Sequence, residues 1–128
     1  MSGRVEIAVR ARIRPGEQLH TAANASPFTV KDIDHNGVVL LLGKGRWPVR
    51  LNWRCLEGIP TFLRDRGWVR IGSLFSSTGE AGTLDGYLKN HTKVLTAGWV
   101  AALLDRACVV EIDRSRPAKV RLRPGFHK

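Results

Sequence analysis

The sequence predicts an α+β protein in which an N-terminal antiparallel β meander or partial barrel packs on a C-terminal half of helices and a closing hairpin. Residues 5–13 carry an apolar series of period two, which is the period of a strand with one buried face, and short apolar runs separated by turn residues follow it up to residue 53. After residue 54 the apolar spacing becomes three and four residues, the period of a helix. We therefore expect a β-rich subdomain at 1–53, a subdomain of helices and hairpin at 54–124, and a tail at 125–128.

Four strands are predicted in the N-terminal half. The first is Val5–Ile13, where apolar residues alternate with charged ones. The second and third, Phe28–Ile33 and Val38–Leu42, flank the turn Asp34–Gly37, whose Asn-Gly pair favours a tight hairpin. The fourth is Trp47–Trp53. These strands would place three arginines along one edge: Arg46, Arg50 and Arg54.

A helix is predicted within Leu56–Arg66 from its apolar spacing. Because proline is tolerated in a first turn, Pro60 predicts a start near Ile59, and Gly67 is the expected C-cap. The other predicted elements are a short strand at Trp68–Ile71, a short helix capped by Thr83, a helix at Ala97–Ala107 capped by Thr96, and a hairpin of Cys108–Asp113 with Ala118–Arg123.

Charge is the most informative bulk property. The 128 residues include 21 Lys and Arg against 11 Asp and Glu, a net charge of +10. Fifteen of the 21 cations are arginines, whose guanidinium group binds phosphate with two hydrogen bonds and stacks on bases. The sequence pI near 10.8 exceeds the value of about 9 above which nucleic-acid binding is expected.

The element order from residue 56 to 123 is helix, short strand, helix, turn, helix and hairpin, and it resembles the winged helix-turn-helix family of DNA-binding domains. The resemblance rests on this order and not on a sequence signature. It implies that the third helix enters the major groove and that the hairpin, or wing, contacts the flanking backbone or minor groove. We therefore expect a DNA-binding protein or transcription regulator. Its implied nucleic-acid-binding residues are Lys89, Asn90, His91, Thr92, Lys93, Thr96, Trp99, Arg114, Arg116, Lys119, Arg121 and Arg123, with Arg46 and Arg50 extending the basic surface.

The third helix has an apolar stripe whose burial would leave a face of small residues exposed. The stripe is Val100, Leu103, Leu104 and Ala107, and the small face comprises Gly98, Ala101, Ala102 and Asp105. Such a face offers few groups that read bases. Two alternatives to duplex DNA binding therefore stay open: a protein-interaction adaptor that uses this face, and RNA binding by the β-rich half. A homodimer also stays open.

The chain has four tryptophans, and an exposed tryptophan can stack on a nucleobase. Trp47, beside a glycine turn, is expected to be exposed. Trp53 and Trp68 are expected to lie in the core. No catalytic residue, metal site or cofactor is predicted, because the histidines are scattered and no catalytic motif is present. Cys55 and Cys108 are expected to be small buried residues. No apolar run reaches membrane-spanning length, so we expect no membrane partner and a cytoplasmic protein.

Overall fold

The computed structural model describes residues 3–21, 27–42, 45, 47–71, 83–88, 97–114 and 118–126, and it confirms the α+β class. In chain order the elements are α1 (Arg4–Arg12), β1 (Gln18–His20), β2 (Pro27–Asp34), β3 (Gly37–Leu42), β4 (Trp47–Asn52), α2 (Trp53–Leu63), β5 (Val69–Arg70), α3 (Leu84–Leu88), α4 (Ala97–Arg106), β6 (Val110–Asp113) and β7 (Lys119–Leu122). None of the helices in these ranges has the length and apolar character needed to cross a membrane.

Two antiparallel sheets organise the chain. Strands β1 to β4 form a four-stranded antiparallel meander in sequence order, which confirms the predicted meander, although β1 is not one of the predicted strands. Within the described residues the meander is not closed into a barrel. Strand β5 joins the C-terminal hairpin to make a three-stranded sheet with the order β5-β7-β6. The buried apolar side chains of both halves belong to one cluster.

The predicted strand at Val5–Ile13 is wrong, because this segment forms helix α1. Val5, Val9 and Ile13 are buried, and their spacing of four residues suits one face of a helix as well as one face of a strand. Ile7, which a strand would bury beside them, is 57% exposed. The apolar residues of this segment therefore fit the period of a strand and that of a helix. Only the residues that both periods place on the buried face are buried in the structure.

Helix α1 is capped by a residue from another helix. Its N-cap residue, Gly3, has no side chain, and the Glu57 carboxylate of α2 accepts the Val5 N–H at 3.0 Å and the Glu6 N–H at 2.9 Å. Two of the four N–H groups that a helix leaves unpaired at its start are thereby bonded. This contact docks α1 against α2.

The hairpin between β2 and β3 is confirmed, and His35 and Asn36 are the central residues of the predicted turn Asp34–Gly37. Asp34 Oδ1 accepts the N–H groups of Asn36 at 2.9 Å and Gly37 at 3.1 Å. Gly37 has φ +153°, and a Cβ atom there would collide with the Leu51 carbonyl oxygen of β4. The glycine is thus required by the close approach of the neighbouring strand.

Helix α2 begins at Trp53, so the predicted start near Ile59 is wrong. The reason is the cap: Asn52 Oδ1 accepts the Cys55 N–H at 2.7 Å, which starts the helix before the proline. Pro60 lies inside the helix and removes one helical hydrogen bond. The helix ends at Leu63 before it reaches Gly67, so the predicted C-cap is also wrong.

Helix α3 is fixed to α2 by Tyr87. The predicted Thr83 cap is confirmed, since its hydroxyl accepts the Gly86 N–H at 3.0 Å. The Tyr87 hydroxyl donates to the Cys55 carbonyl oxygen at 2.9 Å, and the Tyr87 ring lies 5.0 Å from that of Phe62 between centroids.

Helix α4 buries its predicted apolar stripe, but the exposure predicted for its small face is wrong. Ala101 and Ala102 are only 0% and 7% exposed. A Cβ atom built on Gly98 lies 3.9 Å from the Thr21 side chain, and Arg106 forms a 2.7 Å ion pair with Glu17. The small residues of α4 therefore allow the segment around β1 to pack closely on this face.

Candidate nucleic-acid interface

The three-stranded sheet has an apolar side and a charged side. Val120 is fully buried on the central strand, opposite Val69 on one neighbour and Ile112 on the other. Residues directly opposite one another in an antiparallel sheet project to the same side. The charged side, called the outer face below, carries two rows across the sheet: Arg70, Lys119 and Asp113, and next to it Trp68, Arg121 and Glu111.

Arg121 stacks on Trp68 at the centre of the outer face. Its guanidinium carbon lies 4.5 Å from the Trp68 ring centroid, and its Nη2 lies 3.4 Å from Glu111 Oε1. Trp68 is 42% exposed, so the prediction that it belongs to the core is wrong. The Arg121 Nε atom is buried and has no hydrogen-bond partner among the described residues. The ring and the Glu111 carboxylate are therefore the contacts that orient this guanidinium.

Charge changes sign across the outer face. The acids Glu111 and Asp113 lie on edge strand β6, whereas Arg70 lies on the opposite edge strand, β5. The segment that leads into β5 is exposed. It contributes two further cations, Arg64 and Arg66, and one acid, Asp65. Arg66 is held over the Phe62 ring at 4.5 Å. We call the following group the β5-edge surface: Arg64, Arg66, Trp68, Arg70, Lys119 and Arg121.

Arg114, at the end of β6, is partly neutralised by an acid from α4. Its Nη2 lies 3.6 Å from Asp105 Oδ2, and the Arg114 side chain is 57% exposed. Burial raises the pKa of Asp105 above its ordinary value, although the charges of Arg114 and Arg123 act in the opposite direction. Arg123, just beyond β7, is exposed. Asp105 thus reduces the positive charge that these two predicted residues present.

Arg50 forms an ion pair within the first sheet. Its Nη1 lies 2.9 Å from Asp34 Oδ1, and the Asp34 backbone carbonyl accepts hydrogen bonds from Trp53 Nε1 at 2.8 Å and Arg10 Nη2 at 3.0 Å. The Asn36 N–H lowers the pKa of Asp34, burial opposes this, and Arg50 adds to the lowering. Asp34 therefore joins α1, β4 and α2, and Arg50 is part of this network and not of the β5-edge surface.

Trp47 and Trp53 have the exposure and the burial that the sequence predicts. Trp47, at the start of β4, is 73% exposed, and Trp53 is buried under α1 with Arg10 5.6 Å above its ring. Trp99 on α4 is half-buried, and its Nε1 is buried without a hydrogen-bond partner among the described residues.

Several predicted residues lie outside the described residues, so the structure does not place them. They are Arg46, Lys89, Asn90, His91, Thr92, Lys93, Thr96 and Arg116. Of the others, Lys119 and Arg121 share the outer face, whereas Arg114 and Arg123 lie at the two ends of the hairpin strands.

Four members of the β5-edge surface were missed by sequence reasoning: Arg64, Arg66, Trp68 and Arg70. A signal was present, because residues 64–70 place cations or tryptophan at every second position. In a strand this spacing puts them on one face. The partner of that face, β7, comes some 50 residues later, and only the fold brings the two together.

No group of three or more His, Cys, Asp or Glu side chains within the described residues is arranged to hold a metal ion. Burial raises the pKa of the Cys55 thiol to about 11, so this group stays protonated and unreactive at neutral pH. Comparisons of the chain with protein-family models, curated proteins and solved structures found no match.

Proposed function

We propose that the protein binds duplex DNA and that its β5-edge surface contacts the phosphate backbone. The observation that carries this proposal is the position of Arg70 opposite Lys119 and next to Arg121, with Arg64 and Arg66 in the exposed segment that leads into β5. Arginine and lysine side chains supply the phosphate contacts that dominate DNA affinity. A surface with five cations on two strands and one loop suits a rigid, regularly charged duplex.

The chain topology supports a winged-helix arrangement. The observed order α2, β5, α3, α4, β6, β7 is the order on which the resemblance rests, and β5 completes the sheet of the hairpin. In this proposal the outer face of the sheet is the side of the wing that meets DNA. The acids of β6 orient the duplex, because repulsion keeps phosphates away from that edge and favours the β5 edge.

The packing of α4 favours binding that depends little on base sequence. Its small face is covered by the segment around β1, so few α4 side chains remain to read base edges in the major groove. The same packing leaves the adaptor hypothesis without its docking face. Residues 89–96, which precede α4, remain the proposed place for base contacts, if α4 approaches the groove by its N-terminus.

One observation favours a second candidate, RNA binding by the β-rich half. Trp47 is the most exposed of the large hydrophobic side chains in the described residues, and exposed aromatic rings stack on the bases of single strands. This candidate predicts that Trp47→Ala weakens binding to single-stranded RNA.

A salt titration tests the proposed function. Binding of a labelled 20-base-pair duplex is measured by fluorescence anisotropy between about 50 and 200 mM salt, beside a single-stranded RNA of equal length. We expect the protein to bind the duplex. The slope of log affinity against log salt concentration should steepen by roughly 0.9 for each phosphate contacted. Absence of duplex binding at 50 mM salt would contradict the proposal, and tighter binding of the RNA would favour the second candidate.

A further inference from the structure

We propose that Trp68 is a stacking site for an unpaired nucleobase, so that the protein prefers DNA with an unpaired base over fully paired duplex. This inference rests on the proposed function, because the same surface would hold the phosphates of that DNA. It adds a structural preference that phosphate contacts alone do not give.

The first argument is the state of the Trp68 ring. Arg121 covers one face of the ring, with its guanidinium carbon 4.5 Å from the ring centroid. The residue is nevertheless 42% exposed, so a substantial part of the ring meets solvent. An indole ring normally buries its large apolar surface. A base that stacks on the exposed part would cover it without displacing the Arg121 contact.

The second argument is the charge around the ring. Arg66 precedes Trp68 by two residues, Arg70 follows it by two, and Arg121 lies against it. Lys119 lies opposite Arg70 in the neighbouring row. Glu111 offsets part of the Arg121 charge, and the cations remain in excess. A ligand that is both aromatic and anionic would complement this site, and a nucleotide with its flanking phosphates has both properties. A lipid headgroup lacks the aromatic ring, and an apolar protein surface lacks the negative charge.

The third argument is rigidity. Trp68 directly precedes strand β5, and Arg121 lies on the central strand with Glu111 at its Nη2. The guanidinium is therefore held by its strand and its ion pair, and it contacts the ring before any ligand binds, which reduces the ordering entropy lost on binding. A base inside a duplex is already stacked on its neighbours, so the site selects bases that are unpaired or displaced.

The test compares two probes: a 20-base-pair duplex, and the same duplex with one unpaired adenine bulged from its centre. Their dissociation constants are measured for the parent chain and for Trp68→Phe, Trp68→Leu and Trp47→Leu. Leucine keeps an apolar side chain beneath Arg121 but has no π face, and phenylalanine keeps an aromatic ring. Trp47→Leu is the matched control at the other exposed tryptophan.

We expect the parent to bind the bulged duplex at least about fivefold more tightly than the paired duplex, the gain expected from one stacked base. Trp68→Phe and Trp47→Leu should keep most of this preference, and Trp68→Leu should lose it, measured for each variant as the ratio of its dissociation constants for the two probes. Equal binding of the two probes by the parent, or a preference that survives in Trp68→Leu, would overturn the inference. Failure of the proposed function gives a different result, since the parent would then not bind the paired duplex at 50 mM salt.

Discussion

Glu57 caps helix α1 by accepting the backbone N–H of Val5 at 3.0 Å, and its second carboxylate oxygen accepts the next N–H along the chain. The absence of a side chain at Gly3 makes room for this carboxylate, because a Cβ atom there would collide with it. The first helix of the protein is thus held in place by the second.

Replacement of Glu57 by alanine should lower the free energy of unfolding by about 1–2 kcal/mol, because two helix N–H groups lose their acceptors. Urea unfolding followed by circular dichroism measures the change. Glu57→Gln keeps one acceptor oxygen and should lose about half as much. An unfolding midpoint in Glu57→Ala equal to that of the parent would show that these bonds do not hold α1.

Asp34 should make stability depend on pH in the acid range. Its pKa in the folded protein is below the ordinary value of 3.8, so its carboxylate stabilises the fold above that pH, and this contribution is lost as the pH falls through the folded pKa. Asp34→Asn should therefore be less stable at pH 7 and show a shallower loss of stability below pH 4. Asp32→Asn, on the same strand, removes the same charge without an Arg50 contact and is the control. Equal pH profiles for the two variants would contradict this role.

The two cysteines should differ in reactivity. The pKa of Cys55 is raised from 9.0 to about 11, which lowers its thiolate fraction at pH 8 by about 100-fold. Cys108 is partly exposed and should react first with iodoacetamide in the native protein. Peptide mass spectrometry over time measures both rates, with the urea-unfolded chain as reference. Labelling of native Cys55 as fast as Cys108 would contradict the burial of its thiol.

Asp105→Asn should strengthen DNA binding without loss of stability. Burial raises the pKa of Asp105, so its ionised form is disfavoured in the fold, and stability falls as the pH rises through the ordinary value towards the folded pKa. A neutral amide avoids this loss and releases Arg114, which now lies 3.6 Å from the carboxylate. We expect a duplex affinity on the order of twofold higher, because the variant carries one negative charge fewer to repel the phosphates. A weaker affinity in a variant of parental stability would contradict this effect of Asp105 on binding.

Local periodicity was enough to predict the elements whose pattern fits one structure only. The β2–β3 hairpin and the buried stripe of α4, including Val100 and Leu104, are examples. Helix α1 was mispredicted because Val5, Val9 and Ile13 fit a strand and a helix equally well. The contact that distinguishes the two comes from Glu57, about 50 residues away, and no local pattern contains it.

The candidate site shows the same limit. Alternation with Val120 predicts the cations of β7, but the sequence also predicts a buried Trp68, because a tryptophan inside a structured segment is usually buried. Its exposure depends on strand order: β5 is an edge strand, and Arg121 from the central strand covers only one side of the ring. Sequence reasoning also could not place the acids of β6 beside those cations, since register is a property of the folded sheet.

The most direct test of the β5-edge surface compares two double variants of equal charge. Arg70→Ala with Lys119→Ala removes two cations from this surface, and Arg12→Ala with Lys31→Ala removes two exposed cations from α1 and β2. The measurement is the slope of log affinity for duplex DNA against log salt concentration. The first pair should make the slope shallower by about 1.8, the share of two phosphate contacts, and the second pair should leave it nearly unchanged. Equal slopes for the two variants would contradict the assignment of DNA binding to this surface.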